Sequence, residues 1–174
     1  MKKDKIMEIL NDWNFWGKDL DVGIERGEYL EKFENLEKTG QVVAITGIRR
    51  SGKSTLMLQY IKHLTESGMK KKNTLYVNLE DPRFSTELSL GLLQDIYEAY
   101  LEFMEPDATP YIFLDEAQNI NGWEKFVRAL HERKEAKMFV SGSSSKLLSE
   151  EFGTVLTGRH VDLTLTGLPS GVTA

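Results

Sequence analysis

The most informative segment of the chain reads Gly47-Ile48-Arg49-Arg50-Ser51-Gly52-Lys53-Ser54-Thr55. It matches the phosphate-binding loop pattern of Gly, four free positions, Gly, Lys and then Ser or Thr. The apolar, β-branched residues 41–46 predict a buried strand before it, and apolar residues at helical spacing from Leu56 to Leu64 predict a helix after it. The motif therefore lies in the strand–loop–helix context that it requires.

The residue types in this segment explain how it would hold a phosphate. Gly47 and Gly52 permit backbone conformations that let successive N–H groups point inward, and a helix that begins near Lys53 adds the positive end of its dipole. We expect Lys53 to contact the β and γ phosphates of ATP and Ser54 to ligate Mg²⁺, while Thr55 contacts a phosphate or stabilises the first helical turn. All of residues 47–55 are candidates for ATP binding. The alternative is a glycine-rich turn that binds nothing.

Composition narrows the class of protein. The chain has 174 residues, a net charge of −5 and no cysteine, which excludes disulfides, thiolate metal sites and a cysteine nucleophile. No apolar run approaches the ~20 residues of a membrane span, and the N-terminus lacks the apolar core of a signal peptide, so we expect a cytoplasmic location. The acidic balance gives no support for nucleic-acid binding. The basic run at residues 70–72 is interpreted as a solvated loop, with a partner site as the alternative.

The order of the predicted elements indicates the fold class. Strand patterns at residues 41–46, 74–79, 111–114, 137–140 and 160–165 alternate with helical patterns. This alternation predicts an α/β fold with a mainly parallel sheet and helices on both faces. Among the helices, one has Ser85 or Thr86 as its candidate cap, a second has Asn121 as N-cap with Glu124 as its reciprocal partner, and a short one covers residues 146–152.

The sequence divides into three parts. Residues 1–38 carry two amphipathic helical patterns and are predicted to pack on the core, with contact to a partner chain or an adenine ring as the alternative for the first helix. Residues 39–166 form the predicted nucleotide domain. Residues 167–174 are small and flexible in composition, and we expect them to be a tail at a truncation point.

The third predicted strand supplies acidic groups for a second part of the site. Four apolar residues, 111–114, lead directly to Asp115 and Glu116. A buried strand would deliver Asp115 to its carboxyl end, where the carboxylate can hold Mg²⁺ through water. Glu116 could then orient and deprotonate a water for attack on the γ phosphate. The alternative is a solvated strand end without a function.

Several motifs in order resemble one family. The chain is similar to a bacterial and archaeal group of AAA+-type ATPases whose nucleotide domain precedes a C-terminal domain of unknown function. The resemblance rests on residues 47–55, 76–84 (Tyr-Val-Asn-Leu-Glu-Asp-Pro-Arg-Phe), 111–118 (Tyr-Ile-Phe-Leu-Asp-Glu-Ala-Gln), 122–124 (Gly-Trp-Glu), 142–148 (Gly-Ser-Ser-Ser-Lys-Leu-Leu) and 157–159 (Thr-Gly-Arg). It implies a P-loop fold with five parallel strands in the order 5-1-4-3-2.

The same resemblance implies further site residues. Ser143, within the serine run 141–144, takes the place of the polar sensor at the end of the fourth strand, with a helix cap as the alternative. Asn78 matches a residue that can hold the catalytic Glu116 away from water. Arg159 is the candidate arginine finger, acting across a homo-oligomer or with an intramolecular C-terminal domain; an exposed arginine without a role is the alternative.

The sequence-based hypothesis is an ATP-binding, Mg²⁺-dependent ATPase domain. Family members continue past the fifth strand with Pro-Leu-Ser-Phe and a further domain, whereas residues 166–174 read Thr-Gly-Leu-Pro-Ser-Gly-Val-Thr-Ala, so we expect ATP binding with weak turnover. The alternatives are a nucleotide-gated signalling switch or interaction module with little turnover, and a phosphotransferase acting on a small acceptor. The absence of a guanine-reading Asn-Lys-x-Asp pattern favours adenine.

Overall fold

The computed structural model describes residues 1–143 and 158–166, which build one five-stranded sheet. Its strands are β1 (Val42–Gly47), β2 (Thr74–Asn78), β3 (Tyr111–Asp115), β4 (Lys137–Gly142) and β5 (His160–Leu165). Their order across the sheet is β2-β3-β4-β1-β5, and each neighbouring pair is parallel. This confirms the predicted order 5-1-4-3-2. The helix predicted at residues 146–152 and the tail at 167–174 lie outside the described residues.

Within the described ranges, five helices cover the two faces of this sheet. They are α1 (Lys3–Trp13), α2 (Gly27–Glu37), α3 (Lys53–Glu66), α4 (Leu90–Met104) and α5 (Trp123–Glu132), and single 3₁₀ turns occur at Lys71–Asn73, Pro82–Phe84 and Ala117–Asn119. Side chains alternate between the faces of a strand, so Val42 and Ala44 pack with α1, α4 and α5, whereas Val43 and Ile45 pack with α2 and α3. Helices on both faces were predicted, and the structure confirms them.

Aromatic rings fill the core on the α2 and α3 face. Phe33 of α2 stacks on Tyr60 of α3 with 4.0 Å between ring centroids, and Phe113 of β3 stacks on Phe139 of β4 at 4.4 Å. All four side chains are buried. Such pairs contribute about 1 kcal/mol each beyond the burial of their area. These contacts hold α3, the helix that follows the phosphate loop, against the middle of the sheet.

Two predicted helix caps are wrong. Helix α4 is capped by Ser89, whose Oγ accepts a hydrogen bond from the Leu92 N–H at 3.1 Å, because Ser85 is held in the turn after Pro82. Helix α5 begins after Gly122, which has a φ of 83°, and it has no side-chain cap hydrogen bond from Asn121. A left-handed residue at this point turns the chain into the helix without a polar side chain.

The first helix of the opening segment packs on the core. Ile6, Ile9 and Leu10 of α1 are fully buried against the sheet and α4. The Trp13 indole donates to the Asp81 carboxylate at 2.8 Å, and the Trp16 indole donates to the Thr74 carbonyl at 2.9 Å. No helix in the described part of the chain combines the length and the apolar character that crossing a membrane requires.

One side chain of this segment completes the edge of the sheet. Asn14 is 2% exposed, and its amide accepts from the Tyr76 N–H at 2.8 Å and donates to the Tyr76 carbonyl at 2.9 Å. These are the bonds that a neighbouring strand would make to β2. A single amide thus pairs the backbone groups of an edge strand that would otherwise be buried without partners.

We expect Asn14→Ala to lower the free energy of unfolding by about 3 kcal/mol, because it leaves a buried N–H and a buried carbonyl unpaired. Urea denaturation measures the change. Asn11→Ala, an exposed asparagine of the same helix, is the matched control. Equal stability of the two variants would contradict the edge-pairing role of Asn14.

Candidate functional site

Most of the predicted site residues lie at the carboxyl edge of the sheet, where β1, β3 and β4 end. Strand β4 lies between β1 and β3, and all three are parallel, so their carboxyl ends lie side by side. The phosphate loop (residues 47–55) follows β1, the acidic pair Asp115 and Glu116 closes β3, and Ser141 and Ser143 close β4. Ligand sites in open α/β sheets form at this edge.

The phosphate loop has the backbone geometry that its glycines permit. Gly47 has a φ of 151° and Gly52 a φ of 94°, and Arg50 is also left-handed with a φ of 67°. A Cβ on Gly47 would lie 2.7 Å from the Leu165 carbonyl oxygen and 2.8 Å from Ser51 Oγ. Because the last strand passes so close, only glycine fits at the first position of the loop.

Lys53 closes the loop from inside. Lys53 is 4% exposed, and its Nζ donates to the Gly47 carbonyl at 3.1 Å and to the Ile48 carbonyl at 3.0 Å. Helix α3 begins at Lys53, so the N–H groups of its first turn lie beside the loop whose carbonyls the ammonium group contacts. This arrangement concentrates positive charge where the pattern predicts phosphate.

Arg26 supports the loop from outside, and the sequence analysis missed it. Its guanidinium donates to the Ser51 carbonyl at 2.9 Å and lies 4.3 Å from the centre of the Tyr29 ring. The buried Gln59 side chain of α3 holds the chain before Arg26, through bonds to the Val22 and Ile24 carbonyls at 2.9 and 2.7 Å. No sequence motif marks these contacts, because they join a loop to a helix far along the chain.

Asp115 is 1% exposed and is surrounded by hydroxyl groups. The Ser141 hydroxyl donates to Oδ1 and the Tyr76 hydroxyl donates to Oδ2. The nearby Ser54 side chain, like these donors, lowers the pKa of the carboxyl. Burial raises the pKa of the Asp115 carboxyl, and these hydrogen bonds act in the opposite direction. Burial likewise raises the pKa of Tyr76 well above its usual value, with Asp115 adding to the shift. The Tyr76 hydroxyl therefore remains a donor.

Glu116 is held beside this carboxylate by contacts from β4 and from the turn that follows β3. It has a left-handed backbone with a φ of 57°, and its N–H donates to Ser141 Oγ at 3.0 Å. Its Oε2 accepts from the Ser143 hydroxyl at 3.0 Å and from the Gln118 amide. The predicted sensor Ser143 is thus brought to the predicted base, and Gln118 is a partner that the sequence analysis did not assign.

The residues at this edge fit Mg²⁺ together with a nucleotide phosphate. Mg²⁺ prefers oxygen ligands and is commonly bound by one or two carboxylates plus phosphate oxygens. Ser54 and Asp115 supply a hydroxyl and a carboxylate close enough that the Ser54 side chain lowers the pKa of Asp115. Within residues 1–143 and 158–166, no group of three or more His, Asp or Glu side chains could hold a metal ion. The donor set therefore suits a metal that arrives with its phosphate.

Two predicted residues make no described side-chain hydrogen bond to this cluster, although Asn78 lies opposite Asp115 in the pairing of β2 with β3. Asn78 ends β2, and its amide oxygen accepts from the Glu80 N–H at 3.0 Å; the hydrogen bonds described for the Glu116 carboxylate come from Ser143 and Gln118 instead. Arg159 precedes β5 and therefore lies at the amino edge of the sheet, where it pairs with Glu132 at 3.3 Å. It lines a cavity of about 470 Å³ with His131 and Lys137. Within one chain, Arg159 cannot reach the phosphate loop.

Comparisons with known proteins cover most of this chain. A family model described as an AAA domain matches residues 39–171. An uncharacterised protein of Haemophilus influenzae is 34% identical over 140 residues, which are 80% of this chain and 34% of that protein. An uncharacterised protein of Methanocaldococcus jannaschii is 36% identical over 122 residues, which are 70% of this chain and 25% of that protein. The chain thus spans about a third and a quarter of the lengths of these relatives.

A solved structure shows the same fold. The superposition with the structure of C. elegans PCH-2 covers 97% of this chain and 46% of the PCH-2 chain. Its TM-score is 0.57, and the sequence identity is 15%. At this identity the likeness concerns the fold alone.

We expect Gly47→Ala to lower the Tm by about 6 °C, because the added Cβ must displace either the end of β5 or the phosphate loop. Thermal unfolding measures the shift. Gly17→Ala is the control, since a Cβ there would meet no atom within 4 Å. An unchanged Tm in Gly47→Ala would contradict the close approach of Leu165 to the loop.

Proposed function

The chain belongs to the AAA domain family, and from that premise we propose that it binds ATP with Mg²⁺ and hydrolyses the γ phosphate. The observation that carries the proposal is that the phosphate loop after β1 and the buried Asp115 at the end of β3 lie at the same edge of one parallel sheet. Ser54 follows the phosphate-loop lysine, and its side chain lies close enough to Asp115 to lower the pKa of that carboxyl, so the two proposed halves of the nucleotide site meet at this edge.

The phosphate loop would bind the triphosphate. An ammonium group carries three N–H donors. Two of the donors of Lys53 bond the Gly47 and Ile48 carbonyls, and the third donor is available for a phosphate oxygen. The N–H groups of the loop and of the first turn of α3 would supply further donors. Residues 47–55 thus form the proposed binding surface for the phosphates.

Ser54 and Asp115 would hold Mg²⁺ beside the loop, Asp115 through water. Mg²⁺ held there would neutralise part of the negative charge of the bound triphosphate. Ser54 is exposed at the opening of the site, whereas Asp115 lies beneath it, so the hydroxyl can turn toward a metal while the carboxylate keeps its other donors. The fit of the donors and the depth of the carboxylate support this assignment.

Glu116 would act as the general base on the attacking water. The two hydrogen bonds described for its carboxylate both fall on Oε2, so we assign the water to Oε1. Its left-handed backbone, which costs roughly 1–3 kcal/mol, turns the side chain away from the strand and toward Ser143. We propose that Ser143 and Gln118 orient the base, and that Ser143 also senses the γ phosphate. A holding role for Asn78 remains a prediction.

Arg159 would act only between subunits or domains. It lies at the edge of the sheet opposite its own phosphate loop, and its side chain is 41% exposed in the pair with Glu132. A half-exposed ion pair of this kind is weak, at about 0–1 kcal/mol, so little would oppose its transfer to a phosphate of a neighbour. We propose a homo-oligomer, or a domain in the part of the longer relatives that this chain does not span, as the setting for that contact.

We expect Lys53→Ala to weaken ATP binding at least ~30-fold, because a charge-assisted contact to the phosphates of roughly 2 kcal/mol or more is lost. Titration with a fluorescent ATP analogue and Mg²⁺ measures the affinity. Lys62→Ala, which removes an exposed lysine from the same helix, should bind as the unchanged chain does. Equal ATP affinities in the two variants would contradict the assignment of residues 47–55 as the phosphate-binding loop.

We expect Glu116→Gln to retain ATP and to lose hydrolysis by about 100-fold or more, because an amide cannot accept the proton of the water. Single-turnover release of labelled phosphate measures the rate even where turnover is weak. Glu80→Gln removes an exposed carboxylate at the same edge and is the control.

The same assay separates the alternatives. Tightly retained ADP with negligible phosphate release by the unchanged chain would favour a nucleotide-gated switch. Phosphate release that requires an added acceptor would favour a phosphotransferase. Either result would overturn the hydrolase proposal while leaving ATP binding intact.

A further inference from the structure

We propose that Tyr76 is a positioning residue for the magnesium site, because its hydroxyl fixes the orientation of the Asp115 carboxylate. The inference rests on the proposed function, since it concerns the carboxylate that we assign to Mg²⁺. Neither the phosphate-loop pattern nor the acidic pair includes this residue.

The Asp115 carboxylate is held from both sides by neighbouring strands. Tyr76 of β2 donates to Oδ2, and Ser141 of β4 donates to Oδ1. Strand β3 lies between β2 and β4, so each carboxylate oxygen is bound from one side of its own strand. With a fixed donor on each oxygen, the plane of the carboxylate cannot rotate. A carboxylate oriented before the metal arrives loses less entropy when it binds a metal-bound water.

The contribution of Tyr76 differs from that of Ser54. The Ser54 side chain also lowers the pKa of Asp115, but Ser54 is exposed and is itself a proposed metal ligand. A hydroxyl that turns toward the metal could not at the same time orient Asp115. Tyr76 is 1% exposed, and its ring is packed in the core between the sheet and helices α2 and α3. Tyr76 can therefore keep holding the carboxylate in both states of the site.

Packing alone does not explain the hydroxyl. A phenylalanine would fill the same space in this aromatic core. Other buried tyrosines of the chain use their hydroxyls differently: Tyr100 donates to the Lys72 carbonyl at 2.7 Å, and the Tyr60 hydroxyl has no partner among the described residues. Of these three tyrosines, Tyr76 directs its hydroxyl to the acidic side chain of the site. Its chemistry is specific to Asp115.

The test compares Tyr76→Phe with Tyr100→Phe. Each substitution removes one hydroxyl from a buried ring, and the Tyr100 hydroxyl donates to a backbone carbonyl instead of a carboxylate, so Tyr100→Phe controls for the loss of a tyrosine hydrogen bond outside the site. Fluorescent ADP is titrated first in EDTA, which reports phosphate-loop binding without metal. It is then held at a fixed concentration while Mg²⁺ is added, which gives the Mg²⁺ concentration for half-maximal binding.

We expect Tyr76→Phe to bind nucleotide in EDTA within about twofold of the unchanged chain and to need ~10–100-fold more Mg²⁺, the usual effect of losing a residue that orients a metal ligand. Tyr100→Phe should match the unchanged chain in both measurements. An unchanged Mg²⁺ requirement in Tyr76→Phe would overturn the inference. So would an equal loss of binding in EDTA, because it would mean that the hydroxyl supports the fold of the loop.

The two proposals fail in different ways. If the unchanged chain does not bind nucleotide, or binds it without any effect of Mg²⁺, the proposed function fails and the inference fails with it. If the unchanged chain requires Mg²⁺ and Tyr76→Phe requires no more, only the role of Tyr76 is lost.

Discussion

The site depends on one constraint: a carboxylate buried at the end of a central strand must find hydrogen-bond donors. Burial disfavours the charged form of Asp115, and hydroxyls from β2, from β4 and from the start of α3 compensate for it. Tyr76 and Ser141 come from separate parts of the chain, so satisfying one side chain joins β2 and β4 to the end of β3. The group that we assign to the metal therefore also joins three strands at the edge where the site lies.

The same face of the sheet changes from core to site within two residues. Phe113 and Phe139 stack on neighbouring strands, and Asp115 and Ser141 follow each of them on the same face because side chains alternate along a strand. Tyr76 belongs to both regions, since its ring lies in the aromatic core and its hydroxyl lies in the site. A rigid core next to the polar groups restricts their motion, which is what an orienting role requires.

The segment before the phosphate loop is part of this structure. Asn14 completes the edge of β2 at Tyr76, and Arg26 binds the loop carbonyl at Ser51. Both contacts reach elements that carry site residues, so the opening helices support the site as well as cover the sheet. Arg159 shows the opposite relation. It belongs to the nucleotide domain by sequence, yet it faces the amino edge, where only a neighbour could use it.

The sequence by itself determined the fold class, the strand order through a family resemblance, the phosphate loop and the acidic pair. These features rest on patterns within short segments, where periodicity and residue type are visible. Only the tertiary structure decided which residues surround Asp115 and Glu116. Tyr76 lies 39 positions from Asp115, and Ser141 lies 26 positions from it. The helix caps at Ser89 and Gly122 and the bracing by Arg26 were likewise decided there. The reason is physical: a hydrogen bond between distant side chains depends on strand register and on the packing of whole elements, and neither quantity is encoded in any local pattern.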